Sequence, residues 1–397
     1  MKKKAAESRD KRVIFIANLA LDYNRQIVQG ASDWAQSHPA LCLYFSDNDT
    51  PSDFRQIINA NLAGGFDGVL IGACSQALAL PLRIKQLNIP AVDTSGELYP
   101  PPLPRIITDD RAAGRIAAEY FLTRGFRRFA YFGFEHFYWS RQRYEGFAAA
   151  LAAHRLHASV HYLSEDDNIA RIADAEREIK ALIRKTDPIT ALFCANDGLA
   201  SCMIEACMHA GLRIPEQVAI LGADDDHLYT RMREPHISSI TIQGRQIGWR
   251  AMEILGDMIL NNGRPPEQQV LIPPGSIITR RSTDIIAVED ELIHQAITYI
   301  QSHLKDGINV KQLARTLSVS RTTLENRFVH ILSRSPAAEI RRQRIDLVKH
   351  LLSSTTLSIK EIAGRSGFSS SQLFSESFRR STHLTPKAFR ESVRRSP

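Results

Sequence analysis

Between residue 13 and about residue 283, short continuous apolar runs alternate with stretches of helical periodicity, and the pattern occurs twice. The first set is Val13-Ile14-Phe15-Ile16-Ala17, Leu41-Cys42-Leu43-Tyr44-Phe45, Gly68-Val69-Leu70-Ile71 and Ile89-Pro90-Ala91-Val92. Between them lie helical stretches at about 24–37, after Pro51, and around Leu82, Ile84 and Leu87. A strand without polar alternation is covered on both faces, so these runs specify parallel sheets flanked by helices. The second set runs through Phe129–Phe132, Ile189–Cys194 and Val218–Gly222, with helices at about 111–123, 140–153, 198–210 and 247–259. Asp109 reads as the cap of the first of these helices. Two such sets predict a two-lobed α/β domain.

In parallel sheets of this kind, ligands bind beyond the carboxyl ends of the strands. Those ends carry Tyr23, Asp93, Trp139, Arg141, Arg143, Asn196 and Asp224, and Gln243 stands where the chain recrosses. Planar donors and acceptors suit vicinal hydroxyls, and an aromatic ring covers the apolar face of a pyranose. These eight are the candidate sugar contacts. A competing reading makes Asp224, Asp225 and Asp226 simple turn caps.

The stretch 13–283 resembles the ligand-binding part of the LacI/GalR regulators and the type I periplasmic sugar-binding proteins. The matching motifs are Arg143-Tyr144-Glu145-Gly146-Phe147, Ala195-Asn196-Asp197, Ile220-Leu221-Gly222-Ala223-Asp224-Asp225 and Ser239-Ile240-Thr241-Ile242-Gln243. The resemblance implies that Arg143, Asn196, Asp224 and Gln243 face a sugar. It also implies lobe one as 13–126 plus 239–270 and lobe two as 127–238 plus 271–283. Two departures stand out. The helix-turn-helix that LacI-type regulators place first is missing from the basic tail, residues 1–12. The carboxylate expected after the fourth strand falls on Asp93 or Ser95.

Residues 284–397 carry an internal repeat. Val310-Lys311-Gln312-Leu313-Ala314 is echoed 49 residues later by Ile359-Lys360-Glu361-Ile362-Ala363. In each copy an apolar residue follows the Ala by five, Val319 and Phe368, and a second helix follows with Leu324 and Phe328 or Phe374 and Phe378. A small residue inside one helix, a tight turn and an apolar residue entering the next describe a helix-turn-helix. Gly367 suits the sharp turn of the second copy, with Ser318 in that place in the first. The expected units are 309–332 and 358–380, joined by a helix at 336–352 that starts at Pro336. A helix of that length separates them by a rigid rod, and Thr385-Pro386 starts a last short helix.

The exposed faces of the two recognition helices supply the DNA-binding candidates: Arg321, Thr322, Thr323, Asn326 and Arg327, then Ser371, Gln372, Ser375, Glu376 and Arg379. Arg, Asn and Gln can read base edges in the major groove, whereas Arg321, Arg327, Arg341, Arg344, Arg379, Arg380 and Lys387 are better placed to position phosphates. This segment resembles the DNA-binding domain of the AraC/XylS family. The match is carried by Ser358-Ile359-Lys360-Glu361-Ile362-Ala363, Ser366-Gly367-Phe368, Phe374, Phe378, Leu384-Thr385-Pro386 and Phe389-Arg390, with His383 where the family usually has Gly. The order of the two modules resembles the bacterial xylose-operon regulators over essentially the whole chain, and Tyr23-Asn24-Arg25-Gln26 and Glu325-Asn326-Arg327-Phe328 add to that likeness. It implies D-xylose as effector and activation of xylose-utilisation genes.

Charge supports this division. Residues 292–397 hold 18 Lys/Arg against 7 Asp/Glu, whereas residues 13–291 hold 26 against 34. Only the C-terminal part seeks a polyanion. No apolar segment follows the N-terminal lysines and no run of 18 apolar residues exists, so neither a signal peptide nor a membrane helix is expected. Five cysteines without a CxxC pair fit reduced thiols in a cytoplasm. The expectation is a cytoplasmic, homodimeric regulator of promoter DNA, with a monosaccharide effector, RNA polymerase as a further partner, and no cofactor, metal or catalytic residues. Three rivals remain: another pentose or hexose as effector, a transport-type sugar-binding protein, and an enzyme in which Asp224-Asp225-Asp226 holds a metal.

Overall fold

The computed structural model describes residues 11–47, 65–74, 79–163, 168–183, 189–263, 268–285, 290–332, 334–355, 357–368, 370–382 and 384–394. The helix expected after Pro51, most of the basic tail and His383 lie outside them. The chain forms two units, residues 1–119 with 128–284 and residues 120–127 with 285–397.

The first unit holds two six-stranded sheets. In one, β1 (Lys11–Ala17), β2 (Leu41–Asp47), β3 (Gly68–Ile71), β4 (Ala91–Asp93), β5 (Arg105–Thr108) and β11 (Gln269–Ile272) take the order β11-β5-β4-β3-β1-β2, all parallel. In the other, β6 (Arg128–Gly133), β7 (Ala158–Tyr162), β8 (Thr190–Cys194), β9 (Val218–Asp224), β10 (Ser238–Thr241) and β12 (Ile277–Ile278) take the order β12-β10-β9-β8-β6-β7. Only β10 and β12 run antiparallel. The apolar runs of the inner strands are covered, with Val13, Phe15, Ile16, Leu70, Ala191, Leu192, Phe193, Ile220 and Leu221 exposing nothing, whereas Tyr44 and Phe45 of the edge strand β2 are exposed.

The lobe limits differ from those expected. β10 belongs to the second sheet, so lobe two extends to Thr241 rather than ending at 238. β11 belongs to the first sheet, so lobe one takes Ile272 rather than ending at 270. β10 reads Ser-Ser-Ile-Thr and β11 leaves Leu271 exposed, so neither carries the fully covered apolar run that marks an inner strand.

The helices of this unit are α1 (Asp22–Gln36), α2 (Leu80–Leu87), α3 (Asp110–Leu122), α4 (Tyr138–Ala152), α5 (Asn168–Leu182), α6 (Asp197–His209), α7 (His227–Met232) and α8 (Gly244–Leu260). α3 and α4 meet backbone to backbone. A Cβ added at Gly114 would fall 2.0 Å from the Arg143 carbonyl, and one at Gly146 would fall 1.9 Å from the Arg111 carbonyl. No side chain fits at either place, so the register between these two helices is fixed.

The second unit is helical: α9 (Glu291–Ser302), α10 (Val310–Thr316), α11 (Arg321–Leu332), α12 (Pro336–Ser354), α13 (Ile359–Arg365), α14 (Ser371–Thr382) and α15 (Pro386–Arg394). α10 and α13 each begin with a capping box, Asn309 with Gln312 and Ser358 with Glu361. The two turns close alike, by Val319 N–H donating to the Ala314 carbonyl and Phe368 N–H to the Ala363 carbonyl. Ser318 and Gly367 both take left-handed backbone there, at φ 56° and 71°.

α12 serves both cores. Ile340 packs with Leu313, Leu324 and Phe328, while Ile345, Val348 and Leu352 pack with Ile362, Phe374 and Phe378. The rod does more than separate the units, because they also touch. A Cβ at Gly367 would fall 1.9 Å from the Leu304 carbonyl, and the Arg344 guanidinium donates to the Ile308 carbonyl at 2.9 Å. Arg344 is thereby engaged in the protein, not held out toward a phosphate.

Candidate functional site

Both sheets direct the carboxyl ends of their strands toward the same groups. Burial pushes the Tyr23 phenol well above its ordinary value, and the charges that perturb it further are Asp110, Asp224, Asp93 and Arg143. One aromatic residue of lobe one therefore lies within electrostatic reach of both lobes' polar groups. Its hydroxyl donates to the Thr94 carbonyl at 2.7 Å.

Arg143, on α4, is buried and held on three sides. Nε donates to Asp110 Oδ1 at 2.8 Å, one terminal nitrogen to Asp224 Oδ1 at 2.9 Å and the other to the Ala195 carbonyl at 2.5 Å. Burial alone would lower its pKa, but Asp224 and Asp110 overcome that and raise it. A guanidinium carries five N–H donors, so two remain without a partner among the described residues. Trp139 covers the group, with the Arg143 Cζ 5.1 Å from its ring centroid.

Asp93 sits at the end of β4 with 1% of its surface exposed. Its Oδ1 accepts from the Ser95 N–H at 2.9 Å and the Ser95 hydroxyl at 2.7 Å. Its Oδ2 is buried and has no hydrogen-bond partner among the described residues. An unpaired buried carboxylate oxygen is costly unless a donor arrives, and burial accordingly raises this carboxyl. The sequence left Asp93 and Ser95 as alternatives. In the structure Ser95 orients Asp93, which presents the free oxygen.

The remaining candidates divide. Asn196 caps α6 by accepting from the Leu199 N–H at 2.9 Å, which leaves its amide hydrogens available. Gln243 is half-buried just before α8, without a capping bond. Arg141 turns to the Glu135 carbonyl at 3.0 Å, so its guanidinium is engaged with a loop. Among the three consecutive aspartates, Asp225 pairs with Arg280 at 2.7 Å and Asp226 caps α7 through the Leu228 N–H at 2.9 Å. Only Asp224 joins Arg143. Asp109 accepts from the Ala112 N–H at 2.9 Å, as a cap does.

The sequence reading overlooked Asp110. Its neighbour caps the helix, and a helix start needs one cap, so the adjacent acid was the available signal. The lobes meet on both sides of the site. Tyr138 N–H donates to the Glu97 carbonyl at 3.1 Å and its ring stacks on Tyr99 at 4.8 Å. On the other side, the Asp22 N–H lies 3.4 Å from Asp226 Oδ2.

In the second unit, the recognition positions Arg321, Thr322, Thr323, Asn326 and Arg327 on α11 and Ser371, Gln372, Glu376 and Arg379 on α14 are exposed, and Ser375 is half-exposed. Arg321 is braced by Glu325 at 2.8 Å and Gln372 by Glu376 at 3.3 Å. Arg327 pairs with Asp290 at 2.7 Å, so it is already partly neutralised. The second copy has one additional residue before its recognition helix. Val319 precedes Leu324 by five, but Phe368 precedes Phe374 by six, and the two buried phenylalanines fix the face.

The chain matches the model of a periplasmic binding protein-like domain over residues 118–283 and that of a helix-turn-helix domain over residues 313–392. It is 28% identical over 388 residues to the xylose operon regulatory protein of Escherichia coli (strain K12), covering 96% of this chain and 97% of that protein. The chain is therefore similar to the xylose operon regulatory proteins over almost its whole length. The corresponding protein of Haemophilus influenzae is 26% identical over the same length and is covered to 98%. The solved structure of a xylose-binding transcription activator superposes with a TM-score of 0.58 at 26% identity, covering 96% of this chain and 97% of that chain. The helix-turn-helix match sets aside the transport-protein rival. These relatives are regulators by name.

Proposed function

We propose that the chain is a sugar-responsive, DNA-binding transcription regulator that takes D-xylose as its effector and activates xylose-utilisation genes. One observation carries this reading: the likeness to the xylose operon regulatory proteins runs unbroken through both domains. The geometry supports a polyhydroxyl ligand. Two spare donors on Arg143 and one spare acceptor on Asp93 suit hydroxyl groups, which donate and accept at once. Tyr23 and Trp139 offer ring faces, with Asn196, Asp224 and Gln243 as further contacts and Arg141 at the margin.

Sugar binding then stabilises one arrangement of the lobes by its differential affinity, which shifts a population rather than driving chemistry. No covalent step and no cofactor are needed. Gln372, Thr322, Thr323, Asn326, Ser371, Ser375 and Glu376 read bases, while Arg321, Arg327 and Arg379 meet the backbone. The protein works in the cytoplasm as a homodimer, whose two chains present four recognition helices, and contacts RNA polymerase at the promoter. Calorimetric titration with a panel of pentoses and hexoses, followed by a gel shift with the preferred sugar, tests the reading. D-xylose should bind most tightly. Selection of a hexose moves the effector, and binding of no sugar removes the reading.

A further inference from the structure

The strongest unabsorbed feature of the first unit is Asp110. It is the first residue of α3, directly after the crossover by which the chain leaves the first sheet at Thr108. It is 5% exposed, and Oδ1 takes the Nε hydrogen of Arg143 at 2.8 Å. The contact cannot drift, because Gly114 and Gly146 lock α3 against α4 at backbone distance. Turn capping does not account for it, since Asp109 fills that role.

We propose that Asp110 positions Arg143 for the ligand, so that a single buried carboxylate of the interlobe crossover holds the guanidinium with its two spare N–H donors toward the sugar. This rests on the sugar reading of the cleft. Without Asp110, Arg143 keeps Asp224 and the Ala195 carbonyl but loses the partner on Nε, and the guanidinium plane is free to turn about its remaining contacts.

The arrangement is charge-dependent. Facing Asp110 are Arg143 from α4, Asp224 from the end of β9, Asp109 from its own helix start, Tyr23 from α1 and Tyr131 from β6. Burial pushes the Asp110 carboxyl up, Arg143 pulls it back, and Asp224 and Asp109 push it up again, to about 6. Both phenols are raised, so they stay neutral through this range. Below pH 6 the carboxylate that orients Arg143 becomes protonated.

The test is D-xylose affinity of the full chain by calorimetry between pH 5 and pH 7.5. If only the ionised form binds, affinity at pH 5 is roughly tenfold weaker than at pH 7, because the competent fraction falls by that factor. Asp110→Asn keeps the shape but not the charge. It should bind more than tenfold more weakly than the wild type at pH 7, with a flat profile that stays below the wild type even at pH 5. Asp109→Asn, which still caps the helix, should keep the wild-type affinity at pH 7 and move the bend only to lower pH, because it removes one of the charges that push the Asp110 carboxyl up. A wild-type affinity independent of pH, which needs no variant to fold, overturns the inference, and so does an Asp110→Asn profile that still bends near pH 6. Absence of sugar binding by the wild type at every pH overturns the sugar reading and this inference together.

Discussion

Glu339→Gln is expected to destabilise the helical unit by about 3 kcal/mol. Glu339 lies in the first turn of α12 and exposes nothing. It accepts from Arg334 at 2.5 Å, from Arg342 at 2.6 and 3.0 Å and from Gln343 at 2.7 Å. Arg334 also donates to the Thr123 carbonyl, and Arg342 pairs with Asp346 at 2.7 Å. Burial pushes the Glu339 carboxyl up, but the bonds and charges of Arg342 and Arg334 outweigh it and hold the group at about 2 instead of 4.5. At ~1.4 kcal/mol per tenfold change in proton affinity, that gap corresponds to ~3 kcal/mol. Removal of one partner from a buried ion pair costs about 3–5 kcal/mol in general, which agrees.

The sign follows from a lowered carboxyl. The stabilisation is fully present above pH 4.5 and is lost as pH falls toward 2. All three tryptophans, Trp34, Trp139 and Trp249, lie in the first unit, so a far-UV dichroism transition that tryptophan fluorescence does not share belongs to the helical unit. At roughly 4 °C per kcal/mol, the dichroism transition should fall by about 10 °C at pH 7. The gap between variant and wild type should shrink toward pH 3. A variant within about 0.5 kcal/mol of wild type at pH 7, the range of ordinary surface substitutions, refutes the reasoning.

Arg143→Ala or Asp224→Ala should abolish the sugar response by calorimetry and leave promoter affinity by gel shift nearly intact; a collapse of DNA affinity would make these residues structural. Gln372→Ala should weaken promoter binding by about 1–3 kcal/mol without changing sugar affinity, and an unaltered footprint would remove Gln372 from the reader. Arg379→Ala should lower the salt dependence of DNA binding by about one phosphate contact at any sequence, seen as a shallower log–log slope. Gly367→Ala forces a side chain into left-handed backbone and into the Leu304 carbonyl, so thermal melting should show a loss well above 1 kcal/mol.

Much of the fold was legible because burial on both faces removes polar residues from a strand, as in Phe15-Ile16-Ala17 and Leu192-Phe193-Cys194. The edge strand β7 was not, because Val160 and Tyr162 remain partly exposed and the run is interrupted by His161. The helix-turn-helix pair was legible because small residues recur at matching places, and Ala314 and Ala363 are both buried. α9 escaped notice although Ile293, Ile297 and Ile300 repeat at helical spacing, since its partners lie in the unit that follows it.

At the site, Arg143 and Asp224 were readable from motif and strand position, and they meet at 2.9 Å. Their third partner was not readable. Asp110 gains its role from the close approach of α3 and α4, which Gly114 and Gly146 permit and no linear pattern displays. The same holds for Arg327 and Arg344. Each reads as a surface cation in sequence, and each is engaged by a group far along the chain, Asp290 and the Ile308 carbonyl.

A sugar cleft and a twin-helix DNA reader in one chain should be energetically linked. The most direct measurement is promoter affinity with and without saturating D-xylose, paired with D-xylose affinity with and without saturating promoter DNA. Linkage requires both ratios to be equal, and the account predicts a common factor of at least about fivefold, the low end for coupled sites. Tight binding of both ligands with a factor of one in each direction would contradict it.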